Sequence, residues 1–421
     1  MFAQQWTGHA YDGQYFTLGV PEEMCSLAGN CVDWTLPGWG GAHRLELVLG
    51  DTRQDKEGTV ALPTVAWYSD LATKVSSQLS KVSYGKGYEE VRKIATDLKE
   101  KLYNPARFCE TRFAQAERKV YLNFLRDWHI FQVRLQGRAK EFPADEETRE
   151  LLKVLKNFEF VGLLMGVTDL LEHTMFLSLK LQTVNTLPWE HRQEMLNFEV
   201  LFKQLLKEFR AERLPTSHMS FFSEKVEEFR KGKFAGVSLL ACTNKRLSFE
   251  YLMVQLGDWC EVVLHFYHTR IISDIPEQFA WMAECFDLRI LISSPCPLSE
   301  QAQLDNLAKV HAWATDVGKI RLPSIEDLRE QHLVLKQRLV TAFQTSPKYN
   351  MRWTGASGCV IMEDIFTDTS LYEGVSDWLY LFTHCSLKTI CEEVVEGMGS
   401  TIDAHAIGDI LVKENLGTFL L

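Results

Sequence analysis

The chain has 421 residues, a length that favours two or three domains over a single hydrophobic core. Its 46% hydrophobic and 24% charged residues exclude an intrinsically disordered chain. The formal net charge of -11 excludes whole-surface affinity for nucleic acid, so any such binding must use a local basic face.

The cysteines and the N-terminal sequence predict the compartment. The 10 cysteines include no Cys-x-x-Cys pair, and no histidine pair has the spacing of zinc ligands, so no structural zinc site is predicted. Asp12 and Glu22 interrupt any apolar run that could serve as a secretory signal. Scattered cysteines without an export signal predict a nuclear or cytoplasmic protein that is not secreted.

The most apolar stretch, 160–181, is the place where a membrane span has to be considered. It carries Asp169, Glu172 and His173. A membrane-spanning helix would be nearly free of such residues. The sequence therefore predicts a buried helix here and no membrane partner.

The first elements in chain order are short. Residues 14–20 are aromatic and β-branched, which predicts a strand, or a turn into a helix that starts at Pro21. Residues 29–41 are rich in glycine and predict a loop. A helix is expected to begin near Ala42. Its buried face is predicted from three apolar residues at helical spacing: Leu45, Val48 and Leu49.

Amphipathic helical patterns then dominate the chain. In order they cover 64–103 with a break at 84–87, then 113–137, 146–183, 188–209, 247–267, 299–316, 324–343 and 371–397. Ser324 is the predicted N-cap of its helix, with Asp327 three residues later. The polar, lysine-rich residues 212–245 predict a connector, and Leu288–Ser293 predicts a short strand. Residues 345–360 contain Pro347, Gly355 and Gly358, which predict a boundary between domains.

Three short motifs hold the acidic and histidine side chains that could carry chemistry. Each has an ordinary structural explanation when it is taken alone. Asp12-Gly13 is a turn signal, and His43 is a helix-start histidine whose ring hydrogen-bonds a backbone group. Glu393 and Glu396 lie on a solvated face of the last helix.

The order of these motifs resembles that of the hAT-type transposases, the hobo and Activator group, and their domesticated relatives. Asp12-Gly13 comes first, followed by Trp39-Gly40-Gly41-Ala42-His43-Arg44-Leu45-Glu46-Leu47. A long helical region separates these runs from Glu396-Gly397-Met398-Gly399-Ser400. The resemblance implies an RNase H-like α/β core that an all-helical insertion interrupts.

For this chain, the resemblance implies a mainly α fold with only a remnant of that core. The N-terminal part of the core would be 1–62, which lacks the first strands and carries the second acid and the His43 run. The helical insertion would be 63–345. The C-terminal part of the core would be 346–421, with the helix that carries the third acid.

The resemblance also implies roles for particular residues. Asp12 matches the family's second acid, which lies at a strand end, and His43 matches the histidine of a Cys-or-Asp-x-x-His motif before an apolar helix. Glu396 matches the third acid, with Glu393 as the fallback. In that family, three carboxylates hold two divalent ions for phosphodiester displacement. If the site is intact, Asp12 and Glu396 would bind Mg²⁺ or Mn²⁺; otherwise no cofactor is expected.

DNA contacts are a further implication of the resemblance. A lysine-rich helix pair beginning at Tyr84 leads to Thr111-Arg112-Phe113, as in the family. This similarity implies that Lys86, Arg112, Arg118 and Lys119 contact DNA. These basic residues lie among acidic neighbours, which lower the local potential, so a solvated helix face is the favoured alternative.

The sequence departs from the family's pattern at three points. Only eleven residues precede Asp12, which leaves no room for the strand that carries the family's first acid. Gly40 stands where the family has Cys or Asp. The zinc-binding BED finger of many relatives is also absent. We therefore expect an N-terminally incomplete, catalytically inactive derivative without nuclease or strand-transfer activity.

The sequence thus predicts a transposase-derived protein that acts as a DNA- or protein-binding helical scaffold, and the family's assembly implies a homo-oligomer. Two alternatives remain open. In the first, the chain is a fragment of an active hAT-type transposase that performs metal-dependent cleavage and strand transfer, with its first acid upstream. In the second, it is an unrelated helical interaction protein, and Asp12 and Glu396 lie far apart.

Overall fold

The computed structural model describes residues 8–11, 36–39, 41–54, 62–103, 113–182, 186–240, 249–293 and 295–386. Within these ranges the protein is mainly helical, which confirms that part of the predicted fold class. The strands in the described ranges are short and form two separate pairs.

The elements up to residue 210 are β1 (Gly8–Tyr11), β2 (Leu36–Trp39), α1 (Gly41–Gln54), α2 (Ala66–Ser80), α3 (Gly85–Leu98), α4 (Phe113–Arg126), α5 (Trp128–Glu141), α6 (Glu146–Leu155), α7 (Phe158–Leu181) and α8 (Pro188–Arg210). Those that follow are α9 (Ser220–Arg230), β3 (Lys233–Phe234), β4 (Val237–Ser238), α10 (Phe249–Arg270), α11 (Glu277–Phe286), α12 (Leu288–Leu291), α13 (Glu300–Ala312), α14 (Ile325–Thr345), α15 (Pro347–Trp353), α16 (Gly358–Thr367), α17 (Thr369–Tyr372) and α18 (Ser376–Ser386). The strands β1 and β2 pair in parallel, and β3 and β4 pair antiparallel.

The chain forms two compact units, each built from separated parts of the sequence. The first unit contains Met1–His43, Lys180–Met195 and Asp274–Leu421. The second unit contains Arg44–Leu179 and Leu196–Ser273. The domain limits inferred from the family resemblance stay a prediction.

The core of the first unit is centred on four aromatic side chains. Trp189 of α8, Phe286 of α11, and Trp378 and Phe382 of α18 are all buried. The ring centroids of Trp189 and Phe382 are 5.4 Å apart, and those of Phe286 and Trp378 are 5.2 Å apart, both edge-to-face. Such pairs add to the free energy gained by burying large apolar side chains. These contacts hold together three helices that are distant in sequence.

In the core of the second unit, α7 packs closely against α10. Gly162 and Gly166 lie one turn apart on α7 and face α10. A Cβ atom at Gly162 would lie 2.5 Å from a methyl carbon of Leu252, and a Cβ atom at Gly166 would lie 2.5 Å from a methyl carbon of Leu256. These distances are shorter than van der Waals contact, so a side chain at either glycine would force the buried leucines of α10 to move.

The helix α7 is long and apolar enough to cross a membrane by length and composition alone. Of its most apolar window, 78% is buried inside the protein. The core helix of a globular protein passes the same test. The buried helix predicted for 160–181 is confirmed.

Side chains that cap helix starts decide two of the sequence-based predictions. Leu288–Ser293 was expected to be a strand, and this prediction is wrong because the segment contains the one-turn helix α12. The Asp287 carboxylate accepts a hydrogen bond from the backbone N–H of Arg289 at 3.0 Å and so caps that helix. The predicted cap of α14 is confirmed, since Ser324 accepts a hydrogen bond from the N–H of Asp327 at 3.1 Å.

Further segments differ from the sequence-based expectation. The loop predicted at 29–41 contains the strand β2, whose backbone pairs with β1 despite the proline and glycine in its sequence. The connector predicted at 212–245 contains α9 and the β3–β4 hairpin. The helix predicted at 113–137 is interrupted at Asp127, between α4 and α5. The last predicted helix is broken around Gly374, whose φ of 74° ends α17 before α18 begins. Residues beyond 386 and the predicted strand or turn at 14–20 lie outside the described residues.

Two glycines of the second unit offer a matched test of helix packing. Gly87 lies in the first turn of α3, where an added Cβ would be 1.9 Å from the backbone oxygen of Lys81. Gly137 lies inside α5, where an added Cβ meets nothing within 4 Å. We expect Gly87→Ala to destabilise the protein by roughly 2 kcal/mol because the backbone must move.

Gly137→Ala is the control, and we expect it to stabilise the protein by up to about 1 kcal/mol through helix propensity. Urea unfolding of both variants measures the difference. Both substitutions restrict the unfolded chain equally, so a difference larger than helix propensity can supply reports the contact with Lys81. Equal free energies of unfolding for the two variants would contradict the described start of α3.

Candidate functional site

The two N-terminal strands directly precede, in the sequence, two of the three motifs that could carry chemistry. They pair in parallel with Gly8 opposite Leu36 and Tyr11 opposite Trp39. Parallel neighbours run in the same direction, so their carboxyl ends lie at the same edge of the pair. The chain therefore leaves β1 and β2 side by side. Asp12 is the residue after Tyr11 in the sequence, and it lies outside the described residues, as does Gly40.

The helix that follows β2 begins where the sequence predicts it. It starts at Gly41, and His43 is its third residue, with a half-buried side chain. A Cβ atom at Gly41 would lie 2.8 Å from Met195 Cε and 3.1 Å from a methyl carbon of Leu181, so the helix start packs tightly. The predicted apolar face is confirmed, since three residues are buried: Leu45, Val48 and Leu49.

The predicted metal ligands cannot be placed together from the described residues. Asp12, Glu393 and Glu396 all lie outside them. Within the part of the chain that the structure describes, no group of three or more His, Cys, Asp and Glu side chains could hold a metal ion. The metal site thus stays a prediction about residues beyond those ranges.

The predicted DNA-binding residues have different surroundings. Lys86 in α3 and Lys119 in α4 are exposed. Arg118 of α4 forms an ion pair with Glu172 of α7, and both side chains are about one-fifth exposed. This carboxylate compensates the charge of the guanidinium, so Arg118 adds little to the local positive potential. Arg112 lies outside the described residues.

A buried carboxylate joins three helices of the second unit. Glu117 of α4 is 1% exposed and accepts hydrogen bonds from Arg53 Nη2 at 2.5 Å, Tyr121 OH at 2.6 Å and Tyr68 OH at 3.1 Å. Burial, together with the negative charge of Glu117, raises the pKa of both tyrosines well above the ordinary value. Both hydroxyls therefore stay protonated and donate to the carboxylate. The cluster is fully engaged in holding α1, α2 and α4 together.

A second buried carboxylate caps a helix. Asp169 lies inside the apolar α7 and accepts hydrogen bonds from the backbone N–H groups of Phe221 and Phe222 at 3.1 and 2.8 Å. These groups belong to the first turn of α9, which explains why a charged residue is kept in the core helix. Burial raises the pKa of Asp169 to about 6.

A buried histidine lies in the first unit. His332 of α14 is 0% exposed, and its Nδ1 accepts a hydrogen bond from Trp378 Nε1 at 3.1 Å. Its Nε2 lies 3.3 Å from Gln303 Oε1, which also accepts from Lys336 Nζ at 3.0 Å. The indole N–H can only donate, so Nδ1 is unprotonated and Nε2 carries the hydrogen. Burial, with a smaller contribution from Lys336, lowers the pKa of His332 to about 4.

Comparisons with family models, with curated proteins and with solved structures find no match for this chain. Any functional assignment therefore has to come from the residues of the chain itself.

Sequence reasoning missed these buried polar residues, although a signal was present. Glu117 follows Phe113 by four residues and precedes Tyr121 by four, so it lies on the apolar face of its helix. His332 likewise lies between Leu328 and Leu335. A single polar residue on an otherwise apolar helix face indicates a buried hydrogen-bond network.

The neutral His332 gives stability a specific pH dependence. Its folded pKa of about 4 lies below the unfolded value of 6.5, so the unfolded chain binds the proton more readily between these values. The stabilisation is present above about pH 6.5 and is lost as the pH falls towards 4. When the pH is lowered from 7 to 5, we expect the free energy of unfolding of wild type to fall by about 2 kcal/mol more than that of His332→Asn, because asparagine takes up no proton.

Denaturant unfolding of both proteins at the two pH values measures this difference. Buried carboxylates such as Asp169 titrate in the opposite sense, but they are present in both proteins and cancel in the comparison. Identical pH dependence of the two proteins would contradict a neutral, buried His332.

Proposed function

We propose that this chain is a transposase-derived helical scaffold that binds DNA without cutting it. One observation carries the proposal. It is the parallel pairing of β1 and β2, whose ends come directly before Asp12 and before the run Gly40-Gly41-Ala42-His43. In the hAT-type transposases that the sequence resembles, the second acid lies at a strand end, and the histidine motif precedes an apolar helix.

The described backbone supports both parts of that pattern. The strand β1 ends at Tyr11, and α1 begins at Gly41 and buries an apolar face. Because parallel neighbours end at one edge, this arrangement supports a shared edge for the acid and the histidine. The described chain between His43 and residue 386 is mainly helical and contains one short hairpin, β3–β4, which supports a largely helical insertion.

The proposal that the chain does not cut DNA rests on the ligands that the matched motifs supply. Holding two divalent ions in line for phosphodiester displacement requires three carboxylates. The residues that match the family's motifs provide two, Asp12 and Glu396. Gly40 has no side chain where the family has Cys or Asp. We infer that what remains of the family's function is binding, with Mg²⁺ or Mn²⁺ dispensable for it.

The proposal is tested by separating cleavage from binding. We expect the purified chain to leave a supercoiled plasmid uncut with Mg²⁺ or Mn²⁺, because two carboxylates do not complete the metal site. We expect it to bind a labelled DNA duplex without either ion, with an affinity that falls as salt rises, because lysine and arginine displace counterions from phosphates. Gel electrophoresis and fluorescence polarisation measure the two results.

Asp12→Ala is the control for cleavage. Cutting by wild type that Asp12→Ala abolishes would show an active transposase fragment, and the proposal of a non-catalytic scaffold would be wrong. A chain that neither cuts nor binds DNA would instead favour a helical protein-binding scaffold or an unrelated interaction protein.

A further inference from the structure

A short segment of the second unit concentrates positive charge in an acidic protein. The 21 residues from Phe229 to Phe249 contain five basic residues and no acidic residue, while the chain as a whole has a formal net charge of -11. The basic residues of this run are Arg230, Lys231, Lys233, Lys245 and Arg246. Such a run provides the local basic face that an acidic protein needs in order to bind phosphates.

The first part of this run folds as a tight hairpin, which we call the basic hairpin (residues 229–240). Lys233 and Phe234 pair antiparallel with Val237 and Ser238. The connecting residues, Ala235 and Gly236, have φ values of 46° and 76°. Positive φ at both central positions is the geometry of a type I′ turn, whose twist matches that of the paired strands.

The basic hairpin is anchored to the unit beside its turn, at Phe234, and at its last residue, Leu240. The side chain of Phe234 is 2% exposed and packs edge-to-face on Trp128, with ring centroids 5.2 Å apart. The backbone of Leu240 donates to Lys156 O at 2.7 Å and accepts from the N–H of Phe158 at 3.1 Å. A segment held in this way loses little conformational entropy when it binds a partner.

The cations of the basic hairpin point away from these anchors. Side chains alternate along a strand, so the inward Phe234 leaves Lys233 exposed on the other face. Arg230 and Lys231 are also exposed, and the Arg230 guanidinium lies over the Phe249 ring, 4.5 Å from its centroid. Stacking of this kind holds the planar guanidinium in place while its N–H groups remain available.

The acidic side chains that directly precede the hairpin in the sequence, Glu227 and Glu228, lower its net charge without pairing with its cations. The nearest acid in the sequence, Glu228, accepts a hydrogen bond from the backbone N–H of Gly236 at 2.5 Å. Within the described part of the chain, none of the three hairpin cations forms an ion pair. By contrast, Arg118, for which the family resemblance implied a DNA contact, is paired with Glu172.

We propose that the basic hairpin binds the phosphate backbone of nucleic acid through Arg230, Lys231 and Lys233. This inference rests on the proposed DNA-binding function and assigns its contact surface. Nucleic acid fits better than an anionic membrane, because membrane-binding segments set several large apolar side chains beside their cations. In the basic hairpin both phenylalanines, Phe229 and Phe234, are buried, and Leu240 at its end is the large apolar side chain that is 48% exposed. Phosphate contacts carry no sequence information, so binding through this hairpin is independent of DNA sequence.

The test compares two triple variants of the full chain. The hairpin variant is Arg230→Ser/Lys231→Ser/Lys233→Ser. The control, Lys93→Ser/Lys140→Ser/Lys207→Ser, removes the same charge from exposed helix positions of the same unit. Fluorescence polarisation with a labelled DNA duplex, a labelled RNA duplex and a labelled single strand is measured across a salt series, and sedimentation with phosphatidylserine vesicles is measured beside it.

We expect the affinity of the hairpin variant for the duplex to be at least about tenfold lower. The slope of log affinity against log salt should become less steep by about three, one unit for each lost phosphate contact. The control variant should keep the wild-type slope. Lys231→Gln/Lys233→Gln should lower the slope by about two, and Lys231→Arg/Lys233→Arg should restore it. Thermal unfolding confirms that each variant is folded, and the double variants keep the test decisive if the triple variant is not.

The possible failures are distinguishable. If wild type binds DNA and the hairpin variant binds equally well, the basic hairpin is not the contact surface, while the DNA-binding proposal stands. If wild type binds no nucleic acid, both proposals fail. If wild type binds vesicles and not nucleic acid, this inference is wrong, and loss of vesicle binding in the hairpin variant alone would show that the hairpin contacts membranes.

Discussion

Backbone pairing between β1 and β2 decides which parts of the sequence can meet in the first unit. The parallel register brings the end of β1, at Tyr11, beside the end of β2, at Trp39. The helix α1 then leaves from the same edge and carries His43 in its first turn. An antiparallel pairing would place these ends at opposite edges. A site derived from a transposase needs the parallel arrangement, since only then can Asp12 and His43 lie at the same edge of the strand pair.

The rest of the molecule is held together by large apolar cores with a few buried polar groups at fixed positions. Glu117 accepts three hydrogen bonds in the second unit, and His332 bridges Trp378 and Gln303 in the first. Each is satisfied by its neighbours, so each specifies one packing arrangement rather than a reactive site. The charged side chains that remain exposed lie on the surface, and the basic hairpin is the part of that surface that we propose for nucleic acid.

Helical periodicity made most of the fold predictable from the sequence. The start of α1 and the Ser324 cap of α14 follow from local patterns, and both are confirmed. The strand expected at Leu288–Ser293 is wrong because a carboxylate one residue earlier, Asp287, caps a helical turn there. The basic hairpin escaped prediction because its turn holds Ala235 at positive φ, where sequence rules expect Asn, Asp or Gly. The sequence marks Glu117 and His332 as polar residues on apolar helix faces, but it could not show their bonds, because most partners, such as Arg53 and Tyr68 of Glu117, are distant in the chain.

We propose that Asp12 and Glu396, although far apart in the sequence, face one shared site. A photo-cross-link tests this directly. Asp12 is replaced by the benzophenone amino acid p-benzoylphenylalanine, the protein is irradiated, and its tryptic peptides are analysed by mass spectrometry. The account predicts a cross-link to the peptide Thr389–Lys413, which contains Glu393 and Glu396. Cross-links confined to other peptides would contradict it and would leave a helical protein without transposase ancestry.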